Sequence, residues 1–424
     1  MFKSSIYNNL IFENGKSVIY NSLSKARISL CNDTELDDFI IKINNNKLDE
    51  YDEKQFGMLV KNGFIVNEKK NEKSLLKYIF TKRYFASDKL GLILMPTLNC
   101  NFSCPYCFEK PYKGCVKKES NEYFAILKKF ILLNAQKYKH IHLNFFGGEP
   151  LLMKSQIIDF KNEFVDIAKK IGFTYSSSMV TNGSLLDDKI FDALIDLNCN
   201  LLQITIDGSK KQHDVTRAFA NGNPSFDLIV QKINGICEQI KNNEHFTLLI
   251  RFNLNNTSTE DIKSTLEEFR LENRRKISLL FRPVFNTNDY VISNYNTYDD
   301  LDKFNELGVE LGFNIYKNRR VFLSCEACGD MNFFHVLPDL SLWKCINDLS
   351  FNEAHIGNML NDGNVEWNFA KIYNWFEYSD FLSDDKCNKC SIAPDCLGGC
   401  IKNYALTKNR KCGSCKSLSS VFKY

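Results

Sequence analysis

The chain lacks an excess of charge of either sign. Lys and Arg total 54 against 51 Asp and Glu, a net charge of +3. That balance gives no electrostatic case for nucleic acid or an anionic membrane surface as a partner. Long hydrophobic runs are missing too: the longest, near residues 91–95, is far too short to span a bilayer. No continuous apolar segment follows Met1-Phe2-Lys3-Ser4-Ser5; polar Asn8, Asn9, Glu13 and Asn14 come instead. A secretory signal is therefore not expected, and the cytoplasm is the expected compartment. Neither a disordered nor a collagen-like composition is present, with 44% hydrophobic and 25% charged residues. At about 150 residues per domain, 424 residues suggest about three domains.

What the chain does have is cysteine. Sixteen in 424 residues is well below the density of a small disulfide scaffold. In a reducing compartment such residues point to metal binding or catalysis. They are clustered, with three in residues 100–107 and nine between Cys325 and Cys415.

Residues 1–85 read as a small β/helix module of winged-helix size. Strands are expected at 17–20 and 26–30 around a turn at 21–25. A helix opens at Asp33, and a second spans 53–61 and stops at Asn62-Gly63. A wing strand follows at 64–66, and the charge-rich stretch 67–77 reads as a linker. Residues 86–315 alternate between strands and helices. Strands are expected at 91–98, 140–146, 175–181, 201–207, 246–254 and 277–285. Helical patterns lie between them at 118–137, 155–171, 187–197, 226–241 and 259–269. Six such strands predict an α/β fold with a parallel sheet, open or partly closed into a barrel. Their nearly continuous apolar character predicts that both faces are covered. Chemistry belongs at their C-terminal ends. Residues 316–424 are loop-rich and cysteine-rich, so metal is expected to take the place of a large hydrophobic core.

The first cluster, Cys100-Asn101-Phe102-Ser103-Cys104-Pro105-Tyr106-Cys107, is a C-x3-C-x2-C loop directly after the first barrel strand. The only nearby fourth cysteine, Cys115, lies beyond Pro111 and Gly114. Three thiolates on a four-iron cluster leave one iron open for a ligand. A zinc knuckle is the competing reading, but zinc sets usually come as paired C-x2-C.

With its aromatic Tyr106 before the last cysteine, this loop resembles the signature of radical S-adenosylmethionine enzymes. Further motifs fall where that family places them. Phe146-Gly147-Gly148-Glu149-Pro150 ends the second strand. Val180-Thr181-Asn182-Gly183 closes the third. Thr205-Ile206-Asp207-Gly208 closes the fourth and leads to His213-Asp214 and Arg217. The resemblance implies a partial (β/α)6 TIM-type barrel, with Cys100, Cys104 and Cys107 on a [4Fe-4S] cluster that chelates S-adenosylmethionine. It implies that Tyr106, Gly147, Gly148 and Glu149 meet the cofactor, with Glu149 accepting from its ammonium. Ser178, Thr181 and Asn182 would face the cofactor, Asp207 its ribose and Arg217 its carboxylate. His213 reads as a local hydrogen bonder. Arg251 and Asn253, alternating in an apolar strand, point to a polar interior.

Near the C-terminus, Cys387, Cys390, Cys396 and Cys400 form C-x2-C-x5-C-x3-C, flanked by Cys325, Cys328 and Cys345 upstream and Cys412 and Cys415 downstream. This resembles the SPASM extension of the same family, with two auxiliary [4Fe-4S] clusters. The resemblance puts the upstream cysteines and Cys400 on one cluster, and Cys387, Cys390, Cys396 and a final cysteine on the other. Cys325 and Cys328 leave open whether the first cluster is closed or keeps a free iron. The last ligand is Cys412 or Cys415. One departure is visible: Leu340 stands where the family usually has glycine, five residues before the equivalent of Cys345. Cys31, Cys115, Cys199 and Cys237 fit no motif.

SPASM enzymes characteristically modify peptides or proteins. The module at 1–85 resembles the leader-recognition element of ribosomal-peptide maturases, which can bind an extended leader as an added strand. The expected enzyme is thus a peptide maturase that installs a thioether or carbon–carbon cross-link. It would carry three [4Fe-4S] clusters, S-adenosylmethionine and an electron donor such as flavodoxin or ferredoxin. The alternative is an enzyme of the anaerobic sulfatase-maturating type, oxidising a protein Cys or Ser to formylglycine. The expected domains are 1–85, 86–315 and 316–424.

Overall fold

The structure is a computed structural model and describes residues 1–13, 16–29, 42, 51–85, 88–112, 122–240, 245–284, 298–316, 329–347 and 349–410. The helix expected from Asp33, and Cys31, Cys115, Cys325, Cys328, Cys412 and Cys415, lie outside these residues. The chain divides into two compact units, and they do not follow chain order. One holds residues 87–316 and 332–371; the other holds 1–86, 317–331 and 372–424.

The second-named unit begins with β1 (Phe2–Ser4), β2 (Asn8–Glu13), β3 (Lys16–Asn21) and β4 (Arg27–Ser29). Strands β2, β3 and β4 form an antiparallel meander. Helix α1 (Glu53–Lys61) starts where Asp52 caps the Gln55 N–H, and Gly63 follows it at φ +79°. Strand β5 (Ile65–Asn67) returns to pair antiparallel with β1. The expected linker is instead largely helical: α2 (Glu72–Tyr84) runs through it, capped by Asn71 on the Ser74 N–H. Glu72 is buried because it accepts from the Ser5 hydroxyl and the Ile6 N–H. That bonding offsets the cost of burying a carboxylate, which composition alone could not foresee. Tyr7 and Leu76 share an apolar cluster with Phe381, Cys387 and Ala393. The C-terminal cysteine segment therefore packs around an apolar core that the first 85 residues help to build.

The other unit is one large sheet. It contains β6 (Lys89–Leu94), β7 (His140–Phe145), β8 (Thr174–Thr181), β9 (Cys199–Asp207), β10 (Thr247–Leu254) and β11 (Ile277–Pro283). They lie in sequential order, each parallel to its neighbour. Short β12 (Asn314–Ile315) extends the sheet beyond β11, and β13 (Phe333–Val336) pairs parallel to β6 at the other end. Antiparallel β14 (Ser341–Trp343), β15 (His355–Met359) and β16 (Val365–Trp367) continue outward from β13. This large, mostly parallel sheet fits a partial TIM-type barrel. The connecting helices are α3 (Tyr123–Asn134), α4 (Lys154–Ile171), α5 (Asp188–Asp196), α6 (Lys210–Thr216), α7 (Phe226–Gln239) and α8 (Thr259–Glu267). Among the described residues no helix is long and apolar enough to cross a membrane.

The expectation that both sheet faces are covered alike needs correction. One face is apolar and fully buried, with Ile141, Leu143, Phe145, Ile204, Ile206, Ile250 and Phe252 at 0% exposure. The other face carries His140, His142, Asn144, Ser176, Arg251 and Asn253, all only half-buried. Alternation with period two thus sets a dry outer layer against a polar lumen. The apolar outer residues are frequent enough to hide that alternation in the sequence.

Candidate active site

The cysteine loop leaves β6 through buried Met95, Thr97 and Leu98. Its path is fixed by backbone pairing with the segment after α6. Ser103 N–H donates to Ala218 O at 3.1 Å and Ala220 N–H to Asn101 O at 2.8 Å. The Phe102 and Phe219 rings meet edge to face at 4.9 Å. Cys100, Cys104 and Cys107 are half-buried on this loop. Cys100 Sγ accepts from the Phe102 N–H at 3.4 Å and from Asn182 Nδ2 at 3.9 Å. Among the described residues no three His, Cys, Asp or Glu side chains are drawn together as a ligating group. The fit to an iron–sulfur cluster rests on the donor set: three thiols within eight residues, with sulfur-directed hydrogen bonds already aimed at one of them.

Gly147 and Gly148 follow β7 at φ +81° and +49°. A Cβ at Gly148 would lie 2.2 Å from Asn99 O, and one at Gly147 would lie 2.8 Å from Met95 Cβ. The glycines therefore let the two loops touch. Glu149 N–H donates to Asn99 O at 2.8 Å, and Gly148 N–H to Glu109 Oε2 at 2.8 Å. Glu149 itself is fully buried. Its Oε1 accepts from Thr181 Oγ1 at 2.7 Å and from the Leu151 N–H at 3.0 Å, and its Oε2 from the Asn182 N–H at 2.7 Å. Burial pushes its carboxyl up despite these donors. In this structure it ties the ends of β7 and β8 together. Asn182 passes the tie onward: its Nδ2 donates to Asn101 Oδ1 at 2.7 Å, and its Oδ1 accepts from the Ser184 hydroxyl at 2.7 Å.

A second network gathers at the end of β9. Tyr106 donates to Asp207 Oδ2 at 2.5 Å, and Thr216 donates to the same oxygen at 2.7 Å. Arg217 Nη1 and Asn253 Nδ2 donate to the Tyr106 hydroxyl at 3.2 and 3.3 Å. The Asp207 N–H donates to His213 Nδ1 at 3.2 Å, so this buried histidine braces the aspartate backbone. Burial, with Arg217 nearby, holds the His213 imidazole well below its usual range and so neutral. Burial pushes the Asp207 carboxyl up, opposed chiefly by Arg217. Asp207 Oδ1 and Arg217 Nε face each other as an ion pair at 4.0 Å, both buried and neither making a hydrogen bond. One lacks a donor and the other an acceptor. A ligand bearing hydroxyls and a carboxylate satisfies both, which is the chemistry of S-adenosylmethionine. Ser178, also buried, stands further down β8 and meets His142. Sequence reasoning missed Asn101, Thr216 and Ser184; only their contacts with Asn182 and Asp207 reveal them.

The C-terminal cysteines divide between the units. Cys345 follows β14. Cys387, Cys390, Cys396 and Cys400 lie in the unit that holds the first 85 residues. Leu397, Gly398 and Gly399 are consecutive left-handed residues, at φ +49°, +79° and +75°. They turn the chain between Cys396 and Cys400. Leu340 adopts φ +66°. The departure from glycine noted in the sequence thus falls on a backbone position that favours glycine.

A parallel α/β sheet with a cysteine loop on its first strand, and polar networks at the strand ends, defines an enzyme of the partial-barrel class. Residues 94–269, which hold the cysteine loop and the strand-end motifs, match the Radical SAM superfamily, so this part of the chain is a radical S-adenosylmethionine domain. It is 26% identical to the cysteine-type anaerobic sulfatase-maturating enzyme of Clostridium novyi (strain NT), over 74% of this chain and 88% of that protein. It is 23% identical to the radical SAM cyclopropyl synthase TigE of Paramaledivibacter caminithermalis, over 90% of this chain and 82% of that protein. The solved structure of native anSMEcpe with bound AdoMet and Cp18Cys peptide shares the fold. Its TM-score is 0.54 at 19% identity, over 79% of this chain and 96% of that one.

Proposed function

We propose that the protein is a peptide maturase that removes hydrogen from a residue of a ribosomally made precursor peptide and installs a thioether or carbon–carbon cross-link. The observation that carries the radical reading is the orphaned pair Asp207 Oδ1 and Arg217 Nε beside the cysteine loop. A four-iron cluster on Cys100, Cys104 and Cys107, with S-adenosylmethionine, supplies a 5′-deoxyadenosyl radical when bound. The protein's part is to orient. Tyr106 and Thr216 fix Asp207, which accepts from ribose hydroxyls, and Arg217 holds the carboxylate. Gly147 and Gly148 keep the loops close, and Thr181 and Asn182 shape the cofactor side through Glu149. Ser178 offers a hydroxyl from the lumen.

A peptide or protein substrate is favoured by the relative named for sulfatase maturation. The cross-linking reading draws support from coverage. The cyclopropyl synthase aligns with 90% of the chain, and so with part of the first 85 residues as well. In this reading residues 1–85 bind the leader, 86–315 form the catalytic barrel and 316–424 the SPASM domain in the cytoplasm. Cys325, Cys328, Cys345 and Cys400 hold one auxiliary cluster. Cys387, Cys390 and Cys396, with Cys412 or Cys415, hold another, and a flavodoxin or ferredoxin supplies electrons. The formylglycine reading rests on the 26% identity to the cysteine-type sulfatase maturase.

Anaerobic reconstitution should give about twelve irons per chain, as three four-iron clusters. With dithionite and S-adenosylmethionine the protein should form 5′-deoxyadenosine and methionine. Changing Cys100, Cys104 and Cys107 together to Ala should leave about eight irons and abolish that cleavage. Zinc-loaded, iron-free protein would overturn the reading. Co-expression with short reading frames beside the gene separates the two outcomes: a loss of about 2 Da per cross-link, or an aldehyde at one Cys or Ser.

A further inference from the structure

A ladder of hydrogen bonds runs inside the lumen of the parallel sheet, and only its last member, Ser178, belongs to the cofactor side. His140 and His142 stand two apart on β7; Thr174, Ser176 and Ser178 stand two apart on β8. The strand register places His140 opposite Thr174, His142 opposite Ser176 and Asn144 opposite Ser178. Period-two alternation puts all of them on the lumen face. His140 Nδ1 meets Thr174 Oγ1 at 2.9 Å and His140 Nε2 meets Ser176 Oγ at 2.9 Å. His142 Nδ1 meets the same Ser176 oxygen at 2.9 Å, and His142 Nε2 meets Ser178 Oγ at 3.1 Å. The chain of five side chains is unbroken from exposed Thr174, at the start of β8, to buried Ser178 near the cofactor end.

One further bond sets the direction of the ladder. Thr174 Oγ1 donates to Lys139 O at 3.0 Å, and a carbonyl oxygen can only accept. Thr174 must then accept from His140 Nδ1–H. A neutral His140 accepts at Nε2 from the Ser176 hydroxyl. Ser176 in turn accepts from His142 Nδ1–H, and His142 accepts at Nε2 from the Ser178 hydroxyl. Burial, helped by nearby Lys89, lowers the His140 imidazole and keeps it neutral, as this polarity needs. Every hydroxyl and imidazole therefore points its proton away from Ser178 and toward the rim.

We propose that this ladder is a proton relay that exports a proton from the lumen at Ser178 to solvent at Thr174. The inference rests on reading Ser178 as a cofactor-side residue. A proton arriving on Ser178 Oγ displaces the Ser178 proton to His142 Nε2. The His142 Nδ1 proton moves to Ser176, the Ser176 proton to His140 Nε2, and the His140 Nδ1 proton to Thr174, which releases its own to water. One proton enters and one leaves. Both imidazoles exchange tautomer, and no charge stays behind. Oxidation at a substrate carbon or thiol must shed a proton in a lumen that holds the neighbouring cations Arg217, Arg251 and Arg282, and the ladder gives that proton a path away from them. Asn144 Oδ1, opposite Ser178, is buried with no hydrogen-bond partner and marks the end where the chain is open to a ligand.

The test is nitrogen-15 NMR of histidine-labelled holoenzyme, which has only six histidines. In the wild type, His140 and His142 should both be Nδ1–H tautomers. Thr174→Val, at an exposed position, removes the terminal acceptor. It should turn His140 and then His142 to the Nε2–H tautomer, although His142 does not touch Thr174. It should also slow exchange of the His142 ring proton with water at least fivefold. In a Ser176→Ala background, Thr174→Val should have no effect on His142, and Ser176→Thr should restore the transmission. Opposite tautomers in the wild type, or a His142 unmoved by Thr174→Val, would overturn the relay. Transmission without slowed exchange would reduce the ladder to a structural one and equally overturn it. Formation of 5′-deoxyadenosine by the same samples reports separately on whether the radical reading holds.

Discussion

Tyr106 donates its hydroxyl proton to Asp207 Oδ2 across 2.5 Å, joining the cysteine loop on β6 to the end of β9. The Tyr106 hydroxyl oxygen in turn accepts from Arg217 Nη1 and Asn253 Nδ2. One phenol thus serves three partners, and only Pro105 separates it from Cys104, while Cys107 follows directly.

Tyr106→Phe leaves Asp207 one donor short and takes an acceptor from Arg217 and Asn253. An unmade bond in a buried site costs about 1–3 kcal/mol. The expected result is S-adenosylmethionine binding weakened by about tenfold or more, measured by anaerobic equilibrium dialysis, with iron content preserved. Unchanged affinity would mean that the tyrosine ring alone, and not its hydroxyl, organises Asp207.

Two glycines with similar backbone demands should respond differently to alanine. Gly172 ends α4 at φ +89°, and a Cβ there meets nothing within 4 Å. Its replacement should cost about 1 kcal/mol of left-handed strain and leave the site alone. Gly148→Ala adds to similar strain a clash with the Asn99 carbonyl at 2.2 Å. Because that neighbour is backbone, the cysteine loop must move. Gly148→Ala should lose the iron held by Cys100, Cys104 and Cys107, while Gly172→Ala keeps it. Iron counting and thermal melts of the two variants decide this.

Deleting the first 80 residues should do more than weaken peptide binding. Ser22 donates to Ser391 O at 2.5 Å, Tyr20 donates to Asp395, and Lys25 pairs with Asp395. Tyr7 and Leu76 are part of the core around Cys387. The deletion would strip that core, so iron on the C-terminal cysteines should fall as well. Tyr7→Ala is the cleaner probe. Loss of a buried aromatic costs about 3–5 kcal/mol. The C-terminal iron should drop while iron on the Cys100 loop stays. If deletion left all iron in place, the packing between these segments would not matter to the cysteines.

How much of this was legible depended on the range of the interaction. The six parallel strands and most helix ends were readable because apolar runs, Asp187 and Gly172 signal locally. The cofactor-side motifs were readable as spacings. The helix over Glu72–Tyr84 was masked by its charges, though Asn71 and the Leu75, Leu76, Ile79 and Phe80 spacing carried a signal. The His140–Ser178 ladder needed strand register, which no single strand encodes. The packing of Tyr20 on Asp395 spans 375 residues and has no local signature. Leu340 shows the opposite case. The sequence flagged a missing glycine, and the structure supplies the reason in a positive φ. Its side chain is buried at 5% exposure, so packing worth about 2 kcal/mol offsets left-handed strain of about 1–2 kcal/mol.

Stability should depend on pH through His335. Its ring is buried, its Nδ1 donates to Trp343 O at 3.1 Å, and burial pulls the imidazole from 6.5 down to about 4. The folded protein therefore holds this histidine neutral where the unfolded chain would protonate it. Between about pH 6.5 and 4 the unfolded state binds more protons, so stability falls as pH falls through that window and is fully present above it. A fall from 6.5 to about 4 bounds the loss at about 3 kcal/mol. Urea unfolding of the wild type at pH 7 and pH 4.5 should show most of that difference. His335→Gln keeps a donor for the Trp343 carbonyl and cannot titrate. It should be less stable than the wild type at pH 7 through imperfect packing, yet lose about 2–3 kcal/mol less on acidification. Parallel pH dependences in the two proteins would assign the acid lability to other groups.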